Sequence, residues 1–232
     1  MTELPYVGTE LEIFSHAVNW KRYWADRIHP YVRGVVLEVG AGTGVNTEFL
    51  KTERCSQWVC LEPDAVLAGE LKTRCRTLGC DVVVGTMDDV AEPSRFDTIV
   101  YIDVLEHIAD DRAELRRAAA CLRVGGHLAV LAPAHQWLFT PFDAAIGHHR
   151  RYTRRTLGEV APPGLEPVRI DYLDTVGVLL SLGNRVALRQ RMPAQKQVLL
   201  WDRVAIPVSR LVDPLLRYRA GKSVLGVWRR VK

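Results

Sequence analysis

The sequence predicts an α/β fold in which seven strands form a mostly parallel sheet with helices on both faces. Short apolar runs alternate along the chain with segments of helical periodicity, as they do in sheets of this kind. A glycine-rich turn follows the first apolar run, where a buried strand gives way to a helix. The predicted strands cover residues 35–39, 58–61, 81–84, 96–102, 127–132, 166–172 and 223–229.

Helices are predicted between these strands because apolar residues recur there at helical spacing. The predicted helices cover residues 10–26, 45–51, 64–78 and 111–122, and Val124-Gly125-Gly126 is predicted to be a turn. A basic, aromatic loop spans 133–155, with Thr153 capping the next helix and Leu157 on its buried face. A helical insertion of about forty residues precedes the last strand. Its prolines, Pro193, Pro207 and Pro214, argue against one uninterrupted helix.

Composition narrows the class of protein. The chain has 232 residues, of which 48% are hydrophobic and 25% charged, as in an ordinary soluble globular protein. A net charge of +4 is too small to predict nucleic-acid binding across the surface. Five cysteines without CxxC or His/Cys ligand spacing favour reduced thiols over a zinc site. With no secretory leader and no apolar stretch of ~18 residues, we expect a cytoplasmic protein.

The glycine-rich turn is the most informative motif. It follows the apolar run 35–37 and consists of Glu38, Val39, Gly40, Ala41, Gly42, Thr43 and Gly44. Alternate glycines let the backbone turn tightly and let a ligand touch the main chain. A dinucleotide loop of the pattern G-x-G-x-x-G would place its third glycine one residue later than Gly44, and Glu38 would repel a phosphate. A carboxylate suits an amino-bearing ligand, and S-adenosylmethionine is the ligand we expect.

Further residues at predicted strand ends complete a nucleoside site. Glu62-Pro63 ends the second strand, where a carboxylate can accept two hydrogen bonds from ribose hydroxyls. Met87 and Asp88 follow the third strand, where a backbone N–H and a carboxylate can bond an adenine edge. Ile102–Asp103 ends the fourth strand. Because the carboxyl ends of parallel strands meet at one edge of a sheet, these residues are expected to converge.

The chain resembles the class I S-adenosylmethionine-dependent methyltransferases over about residues 35–132. The resemblance rests on the glycine motif, Glu62, Asp103-x-x-Glu106-His107 and Leu122-Arg-Val-Gly125-Gly126. The Leu-Glu-His signature is most similar to the branch of quinone-pathway and natural-product enzymes. The resemblance implies a Rossmann-like sheet of seven strands, with the last strand antiparallel. It divides the chain into an N-terminal helical cap (1–34), a cofactor-binding core (35–132), a substrate-side loop with the insertion (133–220) and the last strand (221–232).

The resemblance also implies roles for the motif residues. Glu38 and the loop would hold the amino-acid end of S-adenosylmethionine, Glu62 the ribose, and Ile102–Asp103 would close over the methionine portion. The family usually has an aspartate where this chain has Thr86, which leaves the adenine-binding carboxylate open. The expected product is S-adenosylhomocysteine.

Three histidines are candidate bases. His107 can be a structural hydrogen-bonding residue, a base near the transferred methyl group, or a metal ligand. Some similar quinone-pathway enzymes hold a divalent metal with an acidic-x-x-Glu-His arrangement, which Asp103, Glu106 and His107 match. Many relatives need no metal, so no metal is predicted, and a Mg²⁺ site on these three residues is the alternative. His148 or His149 can alternatively be the base or a substrate ligand.

Other residues are expected on the acceptor side of the site. Arg150 and Arg151 suit a carboxylate or phosphate, with Tyr152 beside them; a basic, solvated approach to a helix is the alternative. By the resemblance, Trp20 and Tyr23 of the N-terminal helix would fold over the acceptor, although aromatic packing explains them equally.

The insertion carries an apolar stripe at helical spacing beside regularly spaced arginines. The stripe consists of Leu200, Val204, Val208, Leu211 and Leu215, and the arginines are Arg203, Arg210 and Arg217. One hypothesis is contact with an acidic membrane surface or a lipid-linked substrate. The other is a lid or dimer surface in which the stripe is buried.

Methyl transfer to an oxygen, nitrogen or carbon of a small molecule is the leading functional hypothesis, with a secondary metabolite or a quinone- or lipid-like acceptor. An NAD-dependent oxidoreductase would share the fold and Glu62, but it would not explain Glu38 or the glycine spacing. A non-catalytic S-adenosylmethionine-binding regulator is the third hypothesis, and it predicts binding without turnover. The sequence leaves the oligomeric state open.

Overall fold

A computed structural model describes residues 14–90, 92–187 and 195–232. The strands are β1 Gly34–Val39, β2 Cys55–Glu62, β3 Asp81–Val84, β4 Phe96–Ile102, β5 Leu122–Pro133, β6 Leu165–Leu173 and β7 Ser223–Arg230. The helices are α1 Val18–Ile28, α2 Thr47–Leu50, α3 Ala65–Leu78, α4 Asp111–Cys121, α5 Pro141–Ala145, α6 Arg154–Val160, α7 Thr175–Ala187, α8 Gln195–Leu200 and α9 Ile206–Leu215.

The strands form one sheet in the order β3-β2-β1-β4-β5-β7-β6. Strands β1 to β5 pair in parallel, whereas β7 runs antiparallel to both of its neighbours. The chain reverses direction across the sheet between β1 and β4, so the carboxyl ends of these two strands border a crevice. The predicted mostly parallel sheet with an antiparallel last strand is confirmed.

Each face of the sheet carries its own hydrophobic core. Because side chains alternate along a strand, the adjacent residues Val36 and Leu37 enter different cores, and both are fully buried. One core contains Phe96, Leu115 and Trp228, and the other contains Trp58. Coverage of both faces explains why the parallel strands consist of nearly continuous apolar runs.

Strand β5 departs most from the prediction, because it begins at Leu122 and passes through the expected turn at Val124-Gly125-Gly126. The pairing with β4 shifts register between Phe96 and Thr98, so the glycines form a bulge within the strand. A Cβ on Gly126 would lie 2.8 Å from the Arg123 carbonyl oxygen. The glycines therefore permit close backbone approach without ending the strand.

The predicted helix over residues 10–26 is interrupted. Phe14 and Ser15 are helical, helix α1 starts at Val18 after a break, and residues 10–13 lie outside the described part of the chain. The residue before α1, Ala17, has no side chain that can cap the helix. Asp202 does so instead: its carboxylate accepts hydrogen bonds from the backbone N–H groups of Asn19 (3.2 Å) and Trp20 (2.8 Å). The C-terminal insertion thus completes helix α1.

The prolines distort the helix of the insertion but do not break it, contrary to the prediction. Helix α8 continues through a π-helical turn, Trp201–Ala205, into α9, and the Ile206 N–H still donates to the Trp201 carbonyl oxygen. Pro207 directly follows this turn, whose wider hydrogen-bond pattern is a common response to a local distortion of a helix. Pro214 lies inside the last turn of α9, and Pro193 lies outside the described residues.

Two further buried aspartates hold the insertion against α1. The Asp213 carboxylate accepts hydrogen bonds from the Tyr23 hydroxyl (2.7 Å) and the backbone N–H groups of Asp174 (2.7 Å) and Thr175 (3.0 Å). Asp174 accepts from the Ser209 hydroxyl (2.8 Å) and from Trp201 Nε1 (2.8 Å). These bonds join α1, α7 and α9 into one packed unit.

Candidate functional site

The glycine-rich loop turns over the end of β2. The backbone N–H groups of Gly40 and Ala41 donate to the Leu61 carbonyl oxygen at 2.8 and 3.1 Å. Gly40 has a φ of +65°, and a Cβ there would lie 2.6 Å from the Val104 side chain after β4. A side chain at Gly40 would therefore both strain the loop and separate it from the β4 end of the crevice.

Glu62 lies beneath this loop and is 5% exposed. Its carboxylate accepts hydrogen bonds from the N–H groups of Gly42 (2.8 Å) and Asp64 (2.9 Å). A carboxylate has about four acceptor positions, so it can still receive hydroxyl donors from a ligand. Burial raises the Glu62 pKa, and the two N–H donors oppose that rise. The loop and the end of β2 are thus held together by the residue that the sequence assigns to the ribose.

Glu38 points behind the loop and is almost fully buried. Its carboxylate accepts hydrogen bonds from the Thr47 hydroxyl (2.6 Å) and Trp58 Nε1 (3.0 Å), which connects β1 to α2 and β2. Burial raises its pKa to about 7. Glu38 thus holds β1, β2 and α2 together behind the loop, and its contact with the amino-acid end of a cofactor stays a prediction.

The thiols behind Glu38 are closer together than their sequence spacing suggested. The sulfur atoms of Cys60, Cys75 and Cys80 lie within 4.8 Å of one another, and the Cys60 thiol faces the Glu38 carboxylate at 3.9 Å. Cys60 lies in β2, whereas Cys75 and Cys80 lie at the end of α3 and just beyond it. Packing of α3 against the sheet, which no local spacing encodes, brings the three together.

The turn after β3 carries the residues predicted to contact an adenine edge. The Met87 side chain is buried in the core, which leaves its backbone N–H as the group that can contact a ring. Asp88 is exposed and pairs with Arg117 at 2.7 Å. Asp89 closes the turn by accepting a hydrogen bond from the Thr86 N–H at 2.8 Å. The Met87 N–H and the Asp88 carboxylate stay predicted contacts.

Asp103 begins the acceptor side of the crevice. Its φ of +54° turns the chain away from β4 after Ile102, which is buried. The residue is exposed at the surface of the crevice, but protein atoms around its carboxyl displace part of the water and raise its pKa. The positive charges of Lys21 and Lys222 act in the opposite direction. Neither lysine is predicted from the sequence as a site residue, and the position of Lys21 beside Trp20 and Tyr23 is its one signal.

Glu106, His107 and His148 form the most unusual cluster of the site. One ligand atom from each lies within 4.8 Å of the others. Glu106 is fully buried, and neither carboxylate oxygen has a hydrogen-bond partner among the described residues. His148 Nε2 lies 3.8 Å from Glu106 Oε1, and the two imidazole rings meet edge to face with centroids 4.5 Å apart. An unpartnered buried carboxylate calls for a proton or a cation.

The pKa shifts at this cluster follow from burial. Burial raises the Glu106 pKa well above its usual range, and Asp103 adds to the effect. Burial also lowers the His107 pKa to about 4, so its imidazole is neutral at physiological pH. A neutral imidazole can accept a proton or bind a metal ion.

Asp143 orients His148 from the side away from Glu106. His148 Nδ1 lies 3.0 Å from Asp143 Oδ1. Arg151 and Thr140 also donate to Asp143, with the Arg151 Nε bond at 2.8 Å and the Thr140 hydroxyl bond at 2.7 Å. These donors outweigh burial and lower the Asp143 pKa to about 2. Of the candidate histidines, His107 and His148 therefore share the site, whereas the His149 side chain is exposed.

The arginines expected to bind an acceptor form ion pairs with carboxylates of the protein. Arg151 pairs with Asp143, and Arg150 pairs with Asp111 at 2.6 Å. The Tyr152 hydroxyl donates to Asp111 at 2.7 Å, and the ring is buried. Buried carboxylates opposite these side chains explain why they face inward. The structure places them as supports of the His148 loop.

The aromatic residues of α1 contact the C-terminal insertion, and their place over the acceptor stays a prediction. Trp20 packs against Trp201, with ring centroids 5.8 Å apart, and the Tyr23 hydroxyl is bonded to Asp213. Both residues hold the insertion in place. Lys21, next in sequence to Trp20, is the residue of this helix whose charge acts on Asp103.

Comparison with known proteins agrees with this geometry. Residues 16–162 match the sequence model of a family described as a methyltransferase domain. A ubiquinone biosynthesis O-methyltransferase of Nitrobacter winogradskyi is 32% identical over 104 residues, which cover 44% of this chain and 40% of that protein. The chain thus matches less than half of that relative's length.

Solved structures share the fold. A geranyl diphosphate methyltransferase in complex with S-adenosylmethionine has a TM-score of 0.66 at 16% identity, covering 97% of this chain and 91% of that one. Another similar structure is the complex between the Haloferax volcanii Trm112 methyltransferase activator and a putative methyltransferase. It has a TM-score of 0.64 at 18% identity, and the match covers 97% of this chain and 98% of that one.

Proposed function

Because the chain belongs to the methyltransferase domain family, we propose that it transfers the methyl group of S-adenosylmethionine to a hydroxyl oxygen of a small molecule. The main support for this proposal is the composition of the crevice. The glycine loop and Glu62 border it on one side, and Glu106, His107 and His148 lie beyond β4 on the other. The resemblance to ubiquinone biosynthesis O-methyltransferases supports oxygen as the acceptor atom and a phenol-like acceptor.

The cofactor end follows from the loop geometry. We propose that Glu62 accepts hydrogen bonds from both ribose hydroxyls, while the backbone of the loop contacts the amino-acid portion. Glu38 supports the loop from behind through Thr47 and Trp58. The sulfonium methyl group needs mainly an acceptor oxygen aligned with the methyl–sulfur bond, which positioning by the protein provides.

The acceptor end fits a divalent metal ion. We propose that Glu106, His107 and His148 hold it, with His148 in place of the Asp103 of the alternative ligand set from the sequence. The Asp143 contact to His148 Nδ1 resembles the carboxylate that commonly orients a metal-binding histidine. One carboxylate and two imidazoles suit Mn²⁺, Fe²⁺ or Zn²⁺ better than Mg²⁺, which prefers oxygen ligands. Such an ion would lower the pKa of an acceptor hydroxyl.

Removal of one cluster residue should weaken metal binding. We expect His148→Ala and Glu106→Gln to lower Mn²⁺ affinity at least tenfold, because each loses a direct ligand. His149→Ala is the matched control, since its exposed side chain lies outside the cluster, and it should bind as the wild type does. Equilibrium dialysis against Mn²⁺ after treatment with a chelator measures this directly. Equal affinity in all four proteins would exclude the metal site and leave His148 as a base.

Stability should depend on pH through Glu38. An acid whose folded-state pKa is raised stabilises the folded state most when it is protonated. The Glu38 pKa rises from its ordinary value of 4.5 to about 7 in the fold. As the pH increases through this range, the free energy of unfolding should therefore fall by about 3 kcal/mol. Glu38→Gln should remove this part of the pH dependence, and the exposed Glu48→Gln should not. Urea unfolding from pH 4.5 to 8 tests it; parallel profiles for Glu38→Gln and the wild type would contradict the assignment.

The proposed activity has a direct test. Calorimetry should detect S-adenosylhomocysteine binding and no NAD binding, and radiolabelled methyl groups should pass from S-adenosylmethionine to phenolic acceptors. Binding of NAD alone would point to an oxidoreductase. Cofactor binding without transfer to any acceptor would favour a regulatory partner.

A further inference from the structure

Helices α8 and α9 direct an apolar surface toward solvent. The predicted stripe, here named the insertion face, consists of Leu200, Val204, Val208, Leu211 and Leu215, and these residues are 44% to 81% exposed. The described residues of the chain do not cover this stripe, so a dimer surface would have to bury it against a second copy. Single exposed leucines are common on proteins, but a continuous apolar row along one helix is not.

The opposite side of the same helix makes the contacts with the protein. Ile206, Ser209 and Asp213 are fully buried against α1 and α7. A surface helix normally buries its apolar side and exposes its polar side. Helix α9 instead uses two polar residues, Ser209 and Asp213, on its buried side. The apolar exposure is thus not a consequence of poor packing in this region.

The neighbouring helix α7 also exposes apolar side chains. Leu179, Leu180 and Leu182 are 64%, 50% and 39% exposed. Helix α7 packs against α9, with the Val176 N–H donating to the Ser209 hydroxyl at 3.1 Å. Both helices of this packed pair thus present apolar side chains to solvent, as surfaces that bind a partner do.

Charge selects the partner. Between residues 195 and 219 every exposed charged side chain is basic: Lys196, Arg203, Arg210, Arg217 and Arg219. The two acids of this segment, Asp202 and Asp213, are buried and occupied with hydrogen bonds. Arg210 has one acidic neighbour, Asp26, at 2.7 Å. An apolar row bordered by exposed arginines is complementary to anionic head groups above acyl chains.

We propose that the insertion face docks onto an anionic lipid membrane. A second copy of the chain is the less favourable occupant, because two such faces would bring like charges together with few exposed acids to compensate. The contact would run along the membrane surface, since within the described ranges no helix is long and apolar enough to cross a bilayer.

Vesicle co-sedimentation tests this proposal. The wild type should bind vesicles of phosphatidylcholine with phosphatidylglycerol more tightly than pure phosphatidylcholine vesicles, and added salt should weaken binding. Leu211→Glu combined with Leu215→Glu should reduce binding at least tenfold. The matched control is Val66→Glu with Val124→Glu, two residues that are equally exposed elsewhere on the protein, and it should bind like the wild type.

Other outcomes would overturn the proposal. Failure of the wild type to bind anionic vesicles would do so, as would equal loss of binding in both double variants. Light scattering that shows a dimer, converted to a monomer by the Leu211 and Leu215 substitutions, would identify a second copy as the occupant. Unchanged melting temperatures would establish that each variant is folded. None of these measurements depends on methyl transfer, so membrane docking can fail while the proposed activity stands.

Discussion

Replacement of Asp213 by alanine is expected to lower the free energy of unfolding by about 3–5 kcal/mol, because three donors, two of them buried, would lose their buried acceptor. These donors are the Tyr23 hydroxyl and the backbone N–H groups of Asp174 and Thr175. The hydroxyl comes from α1, and the two N–H groups come from the first residue of α7 and the residue before it. Guanidinium unfolding, followed by circular dichroism, measures the loss.

Asp26→Ala is the matched control for this prediction. Asp26 also pairs across the same helices, with Arg210 at 2.7 Å, but both side chains are largely exposed. Exposed ion pairs contribute about 0–1 kcal/mol, so this variant should unfold near the wild-type midpoint. Equal losses in the two variants would show that burial of Asp213 does not determine its contribution.

Glu62→Ala is expected to weaken S-adenosylhomocysteine binding about 100-fold. The proposed contact comprises two charge-assisted hydrogen bonds to the ribose, and their loss corresponds to about 3 kcal/mol. Glu62→Gln retains one acceptor oxygen and should lose about tenfold. Calorimetry measures both affinities.

Glu48→Ala provides the control for cofactor binding. Glu48 lies on α2 after the loop, where its exposed carboxylate pairs with Arg74. Its removal should leave affinity unchanged. Unfolding curves separate a lost ligand contact from a damaged loop, because Glu62 also accepts the Gly42 N–H. Wild-type affinity in Glu62→Ala would remove the ribose assignment.

Local pattern predicted the framework of the fold closely. The structure has β3 and β4 at the predicted residues 81–84 and 96–102, because each is an apolar run between turn residues. Glycines misled the prediction at β5, where a turn signal proved to be a bulge. Its cause is the pairing with β4, a contact that no local window contains.

Side chains with distant partners were the least predictable. Arg151 reads as an anion-binding residue until Asp143 is seen beside it in the folded loop. Asp202 and Asp213 are isolated acids in apolar sequence, and their partners on α1 lie more than 180 residues earlier in the chain. The cluster of Glu106 with His107 was visible as a motif. His148 could join it only through the loop that Asp143 and Arg151 support.

The cap that Asp202 provides to α1 has a consequence for synthesis on the ribosome. Helix α1 is made before the insertion, and the acceptor for its first N–H groups follows some 180 residues later. Until then its aromatic side chains lack their partners on the insertion, including Trp201 and Asp213. Helix α1 therefore cannot complete its packing before the insertion has been made, and in this interval a chaperone would find exposed tryptophan and tyrosine.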